Sequence, residues 1–192
     1  MYQKYFKKLF DIILSLILII SLFPVMILIF FLVWITIGFP IFKQKRPGLN
    51  SKVFTLYKFK TLYDSSNNTS QKKKQNKIGN FLRKTGLDEL PQLFNVLKSD
   101  MSLVGPRPLL VEYLKKYSSY EKKRHLVKPG ITGLAQVNPD PSGVKLWKKS
   151  IKLDIYYVTN VSFYLDIQIL LKTVELILFK KKQYKDFKKF DE

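Results

Sequence analysis

The chain has 192 residues, with 34 Lys and Arg against 14 Asp and Glu, a net charge of +20. It has no cysteine, which excludes disulfides, thiolate metal sites and cysteine nucleophiles. One histidine, His125, leaves no His-cluster metal site, and the positive surplus points to anionic partners such as phosphorylated small molecules, anionic lipid or nucleic acid.

Residues 12–42 carry no charge and are dominated by Ile, Leu, Phe and Val. That run exceeds the ~20 residues a spanning helix needs, and it lacks the small-residue cleavage site of a removable signal peptide. A permanent anchor is expected. Pro24 divides it into halves of about a dozen residues, each about 18 Å as helix and too short to cross alone. Lys4, Lys7 and Lys8 precede the run, and Lys43, Lys45, Arg46 and Lys52 follow it. The positive-inside tendency keeps both flanks cytoplasmic, which a helix broken at Pro24 and re-entering the same face satisfies. The backbone groups freed at the break need partners, with Ser21 as the candidate. A tilted, kinked single span is the alternative.

Ile41 to Gln44 and Val53 to Thr61 are rich in aromatic and β-branched residues. The RPGLNS between them has turn chemistry, so the pattern predicts a β-hairpin. Lys58 and Lys60 alternate with aromatic positions, which turns both toward one polar surface. Residues 64–77, DSSNNTSQKKKQNK, have no apolar side chain and read as a mobile loop. Ile78 to Arg83 reads as a short amphipathic helix.

Asp88-Glu89 then stands between Gly86 and Pro91. Leu90, Leu93, Phe94 and Leu97 recur at helical spacing, which places Asp88 at or beside the N-cap of a helix running to about Lys98. A helix start suits phosphate, and Arg83, Lys84 and Arg107 bring further positive charge. An isolated Asp there would only cap its helix, a contribution of ~1 kcal/mol; the basic frame argues for more.

In Gly105-Pro106-Arg107-Pro108 two prolines fix the backbone around one arginine and pre-order its guanidinium for phosphate. Residues 109–127 are predicted as one further helix carrying Glu112, Arg124 and a structural or surface His125. Residues 128–138 form a glycine-punctuated loop or short strand whose Thr132, Gln136 and Asn138 suit a nucleotide base or sugar. Leu146 to Asn160 reads as helix. From Leu165 an apolar stripe passes into FKKKQYKDFKKF, either an interfacial helix or tail on anionic lipid or a solvated basic tail.

An acidic pair framed by basic groups on a membrane anchor suits phosphoryl transfer between a soluble donor and a lipid, usually with Mg²⁺. The segments FDIILSLILIISLFP, Gln44-Lys-Arg-Pro-Gly48, YKFKTL (57–62), FLRKTGLDELPQLFNVLKSDMSLVGPRP (81–108), PGITGLAQVN (129–138) and LDIYYVTN (153–160) follow one another in a familiar order. They resemble the bacterial sugar transferases, or monotopic phosphoglycosyl transferases, and within them the small stand-alone subgroup. The likeness covers nearly the whole chain.

The resemblance implies an α+β protein. Its re-entrant membrane helix would occupy residues 1–42, and a compact cytosolic helical domain with a small β-hairpin and a basic interfacial C-terminal helix would occupy 43–192. It implies transfer of a phospho-sugar from a UDP-sugar to undecaprenyl phosphate with release of UMP, on the cytoplasmic face of the bacterial inner membrane. Asp88 would be the nucleophile and Glu89 its partner in a Mg²⁺ site. Arg83 and Arg107 would hold phosphate, with Lys58 and Lys60 as further phosphate candidates. The chain departs from the family where Phe23 precedes Pro24 in place of serine, where Gly86 replaces serine and where Leu134 replaces tryptophan. It also has Pro-Asp-Pro-Ser-Gly after Asn138 in place of Gly-Arg. A membrane-tethered basic module binding nucleic acid or anionic lipid would also explain the charge and the anchor. It would not explain the framed acidic pair, so nucleic acid is not expected as a partner.

Overall fold

The computed structural model describes residues 2–63, 77–138 and 146–179. Residues 64–76 of the expected lysine-rich loop and the basic tail beyond residue 179 lie outside the described residues, and Lys77, expected in that loop, opens a helix. The architecture is α+β and mostly helical. A π-helical turn, Tyr2–Phe6, leads into helix α1, Lys7–Ile37. Strands β1, Ile41–Pro47, and β2, Val53–Phe59, pair antiparallel as the expected hairpin, with Ile41 opposite Phe59 and Pro47 opposite Val53.

α1 holds its backbone bonds within itself, as apolar surroundings demand. Its helical conformation continues through Pro24, where a break was expected. Proline withdraws only one intrahelical donor, while the turns on either side keep theirs. Ser21 does not serve the group freed by Pro24, because its hydroxyl donates to Leu18 O at 3.2 Å. One stripe of α1 is buried along its whole length: Lys7, Asp11, Ser15 and Ile19 before the proline, then Met26, Ile29, Val33 and Ile37 after it. Ile19 joins the main core with Leu56, Leu93, Val96 and Met101. The later residues meet Phe59 and Leu82 in a second cluster.

The foot of α1 is fastened by charge. Asp166 accepts from Lys7 Nζ and from Tyr2 OH, each at 2.6 Å, and from Tyr157 OH at 2.7 Å. Asp11 accepts the Leu103 N–H at 3.3 Å. Asp166 opens helix α5, Phe163–Leu178, and Tyr157 belongs to helix α4, Leu146–Thr159.

After the hairpin comes helix α2, Lys77–Thr85, ended by Gly86 at φ 74°. The single helix expected from Asp88 to Lys98 is a 3₁₀ turn, Leu87–Glu89, followed by a shorter helix α3, Gln92–Leu97, with Pro91 at its N-cap. Pro91 has no N–H, and the bonds around it are short-range: Glu89 N to Gly86 O at 3.1 Å and Leu90 N to Leu87 O at 3.3 Å. The segment 109–127 likewise is not one helix but two 3₁₀ segments, Val111–Lys115 and Glu121–Leu126. Ser118 and Glu121 explain the restart. The Ser118 N–H donates to Glu121 Oε2 at 2.8 Å and the Glu121 N–H to Ser118 Oγ at 3.3 Å, a reciprocal capping box.

Strands β3, Ser102–Val104, and β4, Gly130–Thr132, form a short parallel pair that the sequence pattern did not predict. They approach so closely that a Cβ at Gly130 would collide with the Gly105 backbone.

α3 is joined to the hairpin by one side chain. Asn95, with no exposure, donates to Thr55 O at 2.7 Å and accepts the Tyr57 N–H at 3.1 Å, replacing a neighbouring strand along the free edge of β2. Asn95→Ala leaves a buried carbonyl and a buried N–H unpaired. It is expected to lower unfolding stability by about 2–4 kcal/mol, read by chemical denaturation in detergent.

Candidate active site

The register that Asn95 imposes sets Lys58 of β2 beside the turn Leu87–Glu89. Lys58 Nζ lies 2.6 Å from Glu89 Oε1, and Arg107 Nη2 lies 3.0 Å from the same oxygen. Three segments therefore converge on one carboxylate. Its side chain is 17% exposed, against 19% for Lys58 and 39% for Arg107.

Asp88 differs from its neighbour. It is buried, and no other described side chain is bonded to it. Burial pushes its carboxyl up to about 6; the neighbouring Glu89 charge adds to the rise, while Lys58 and Arg107 pull it back. Burial also works against the Glu89 charge, but Arg107 and Lys58, by charge and hydrogen bond, hold that group at about 2. Two adjacent carboxylates thus behave oppositely. Glu89 is a fixed anion between cations, and Asp88 is a desolvated carboxylate that ionises just below neutrality.

The other sequence-predicted residues are placed as follows. Arg83, in the last turn of α2, donates to Asn80 Oδ1 at 2.8 Å, and no described bond joins it to the acidic pair. Lys60 stands just past β2, its backbone N–H on Pro40 O at 2.8 Å. Thr132 Oγ1 lies 2.7 Å from Thr173 Oγ1 of α5. Gln136 donates to Ile131 O at 3.0 Å, and its Oε1 is buried without a partner among the described residues. Asn138 donates to Leu134 O at 2.8 Å and faces Lys172 at 3.5 Å. The last three are thus bound to the β4 exit and α5, not to the Glu89 cluster. Ser21 and Pro24 lie in α1, away from these bonds.

Sequence reasoning missed Asn95, Arg124 and Asp154. A signal existed for Asp154: it shares the buried face of α4 with Ile151 and Ile155, and a charge on an apolar face demands a buried partner. Arg124 is that partner, at 2.6 Å. His125 is buried, and burial together with Arg124 holds its imidazole down to about 4, so it is neutral at physiological pH.

Among the described residues no group of three or more His, Cys, Asp or Glu gathers. Mg²⁺ binds through one or two carboxylates and completes its shell with water and phosphate oxygens, so Asp88 and the second oxygen of Glu89 are the groups that could hold it.

Residues 2–180 match the sequence pattern of the family described as bacterial sugar transferase. The chain is 46% identical over 177 residues to the uncharacterized sugar transferase EpsL of Bacillus subtilis (strain 168), covering 90% of this chain and 87% of the relative. It is 38% identical over 192 residues to a UDP-glucose:undecaprenyl-phosphate glucose-1-phosphate transferase of Xanthomonas campestris pv. campestris, covering 93% of this chain and 40% of that protein. An undecaprenyl-phosphate galactose phosphotransferase of Salmonella typhimurium is 35% identical over 197 residues, with 92% of this chain and 41% of the relative covered. The chain thus spans about two fifths of the length of these last two.

The divided acidic pair has a thermodynamic signature. Asp88 is raised from 3.8 to about 6, so the folded chain holds its proton more tightly and loses stability as pH rises from about 4 to about 6. Asp88→Asn removes that penalty and is expected to stabilise the chain by on the order of 2 kcal/mol at pH 7.5 and hardly at pH 4. The Glu89 contribution has the opposite sign, being present above about 4.5 and lost as pH falls toward about 2. Glu89→Gln is therefore expected to lower the melting temperature at pH 7.5. Melting curves of both variants at the two pH values check the assignment.

Proposed function

Since the chain belongs to the bacterial sugar transferase family, we propose that it moves a phospho-sugar from a UDP-sugar to undecaprenyl phosphate and releases UMP, through a covalent intermediate on Asp88. The names of its relatives support the overall reaction. The observation that carries the mechanism is the division of the pair: Glu89 is clamped by Lys58 and Arg107, while Asp88 is buried, ionises near neutrality and has no bonded side chain among the described residues.

An oxygen of the Asp88 carboxylate attacks the β-phosphorus of the UDP-sugar. The bond from that phosphorus to the bridging oxygen breaks, and UMP leaves with the electron pair. The sugar phosphate is then held on Asp88 as an acyl phosphate. A phosphate oxygen of undecaprenyl phosphate attacks the same phosphorus, restores the carboxylate and yields the lipid diphosphate sugar. A desolvated carboxylate is the better nucleophile, because it has shed the water that would shield it. Arg107 and Lys58 bear the charge that develops on phosphate oxygens, and Glu89 keeps both cations in place. Arg83 and Lys60 are further phosphate contacts in this scheme, and Thr132, Gln136 and Asn138 are the candidates for base or sugar recognition. Mg²⁺ held by Asp88 and the second Glu89 oxygen would offset diphosphate charge.

The anchor is proposed to keep both of its ends on the cytoplasmic side of the bilayer, with Pro24 bending the helix rather than breaking it. α1 is about 46 Å long, more than the ~30 Å hydrocarbon core, so a spanning helix would place its ends on opposite faces. Here both ends meet the same domain: Asp11 bonds to β3, and Ile37 packs with Phe59 and Leu82. One stripe rests on protein, while residues such as Ile20, Phe23, Leu28 and Ile35 turn outward to lipid. Phe163, Tyr164 and Leu171 give α5 a similar exposed apolar face, and with the basic composition they support contact with anionic lipid.

Four outcomes are expected. UDP-sugar without lipid acceptor releases UMP in an amount equal to the enzyme, and mass spectrometry finds the phospho-sugar on a peptide containing Asp88; UMP that appears only with the acceptor points to direct transfer instead. The release rate rises about tenfold per pH unit below about 6 and levels above it, as Asp88 ionises, and Arg107→Lys slows it by on the order of 100-fold. Single cysteines introduced at Gln3 and Ser51 both resist a membrane-impermeant thiol reagent in intact cells. Labelling of either one means that α1 spans.

A further inference from the structure

Behind Arg107 lies a buried charge cluster that the proposed chemistry does not use. Arg124 is 3% exposed. Its Nη2 donates to Arg107 O at 2.7 Å and to Asp154 Oδ2 at 2.6 Å, and its Nη1 donates to Tyr117 OH at 2.7 Å. One guanidinium thus ties α4 and the 109–127 region to a single backbone carbonyl. The adjoining backbone is held as well. The Gly105 N–H donates to Thr132 O at 2.9 Å and the Gly130 N–H to Pro106 O at 3.0 Å, while Pro106 and Pro108 restrict their own φ. Arg107 therefore has a fixed backbone beneath a side chain that is 39% exposed and reaches Glu89.

Stability alone does not call for this arrangement, because desolvating two charges offsets most of their attraction. A neutral donor would satisfy the Arg107 carbonyl equally well. What arginine adds is a planar fork with fixed angles that serves three acceptors at once. We infer that Arg124, held by Asp154 and Tyr117, is the positioning residue for Arg107: it sets the backbone from which the Arg107 guanidinium reaches the acidic pair, and it acts on substrate only through Arg107. The kinetic consequence rests on the phospho-sugar transfer reading; the structural one rests on geometry alone.

Arg124→Lys keeps a cation opposite Asp154 but loses the fork. Hydrogen exchange on the full chain in detergent, without substrate, reads the structural half. The peptide covering 103–113 is expected to exchange at least about threefold faster, with hairpin and α3 peptides unchanged. A double-mutant cycle on UMP release reads the other half, using whichever of UDP-glucose and UDP-galactose gives the faster rate. Arg124→Lys should lower kcat/KM by about tenfold in the otherwise native chain and by less than about twofold in the Arg107→Lys chain. An equal loss in both backgrounds, or unchanged exchange over 103–113, overturns the inference. If Arg124→Lys does not fold, Tyr117→Phe removes one acceptor of the fork and must show the same loop exchange and the same non-additivity at smaller amplitude. If the native chain releases no UMP from either sugar, hydrogen exchange alone decides the role of Arg124.

Discussion

A carboxylate shut between a lysine and an arginine is the constraint on which this site depends. Glu89 draws together Lys58, 31 residues before it, and Arg107, 18 residues after it. Two cations pressed into a half-buried space would repel each other, and one anion between them removes that penalty. The same anion raises the proton affinity of its neighbour Asp88, which burial has already raised. A single ionic contact therefore assembles the two cations and separates the chemistry of two adjacent acids.

Much of the scaffold was legible because it rests on local signals. The hairpin follows from β-branched and aromatic residues around Pro47-Gly48, and α4 and α5 follow from apolar periodicity. Elements set by distant backbone partners were not legible. β3 and β4 have three residues each and exist by pairing across more than twenty positions. The break in 109–127 turns on one Ser-Glu capping box, and the shortness of α3 on the missing N–H of Pro91. At the site, the acidic pair and Arg107 stand out in sequence because glycine and proline frame them. Their division of labour does not, because it is set by burial and by Lys58. Thr132 and Asn138 show the converse: polar side chains that look available in sequence are bonded to α5 and the β4 exit in the fold.

Among the described residues, buried or half-buried ion pairs recur at three places: Lys7 with Asp166 at the foot of α1, Arg124 with Asp154 behind Arg107, and Lys58 and Arg107 with Glu89. Apolar contacts hold the domain together through the core around Leu93, Val96 and Met101, but they tolerate sliding. Ion pairs with short bonds and fixed angles do not. Each of the three joins an element to another remote in sequence, which gives register where hydrophobic packing gives only cohesion.

The fastening at the foot of α1 also bears on how the chain is made. Lys7 and its partner Asp166 are 159 residues apart, and Tyr2 and Asp166 are 164 apart. The apolar helix therefore leaves the ribosome well over a hundred residues before the carboxylate that fastens it. Until Leu103 and Asp166 have been made, Asp11 and Lys7 lack the partners of the finished fold, so the charged end of the helix needs other polar partners. Such non-local closure is slow to find and exposes apolar surface while it waits. The apolar helix is thus made long before the contacts that seat it on the rest of the fold can form.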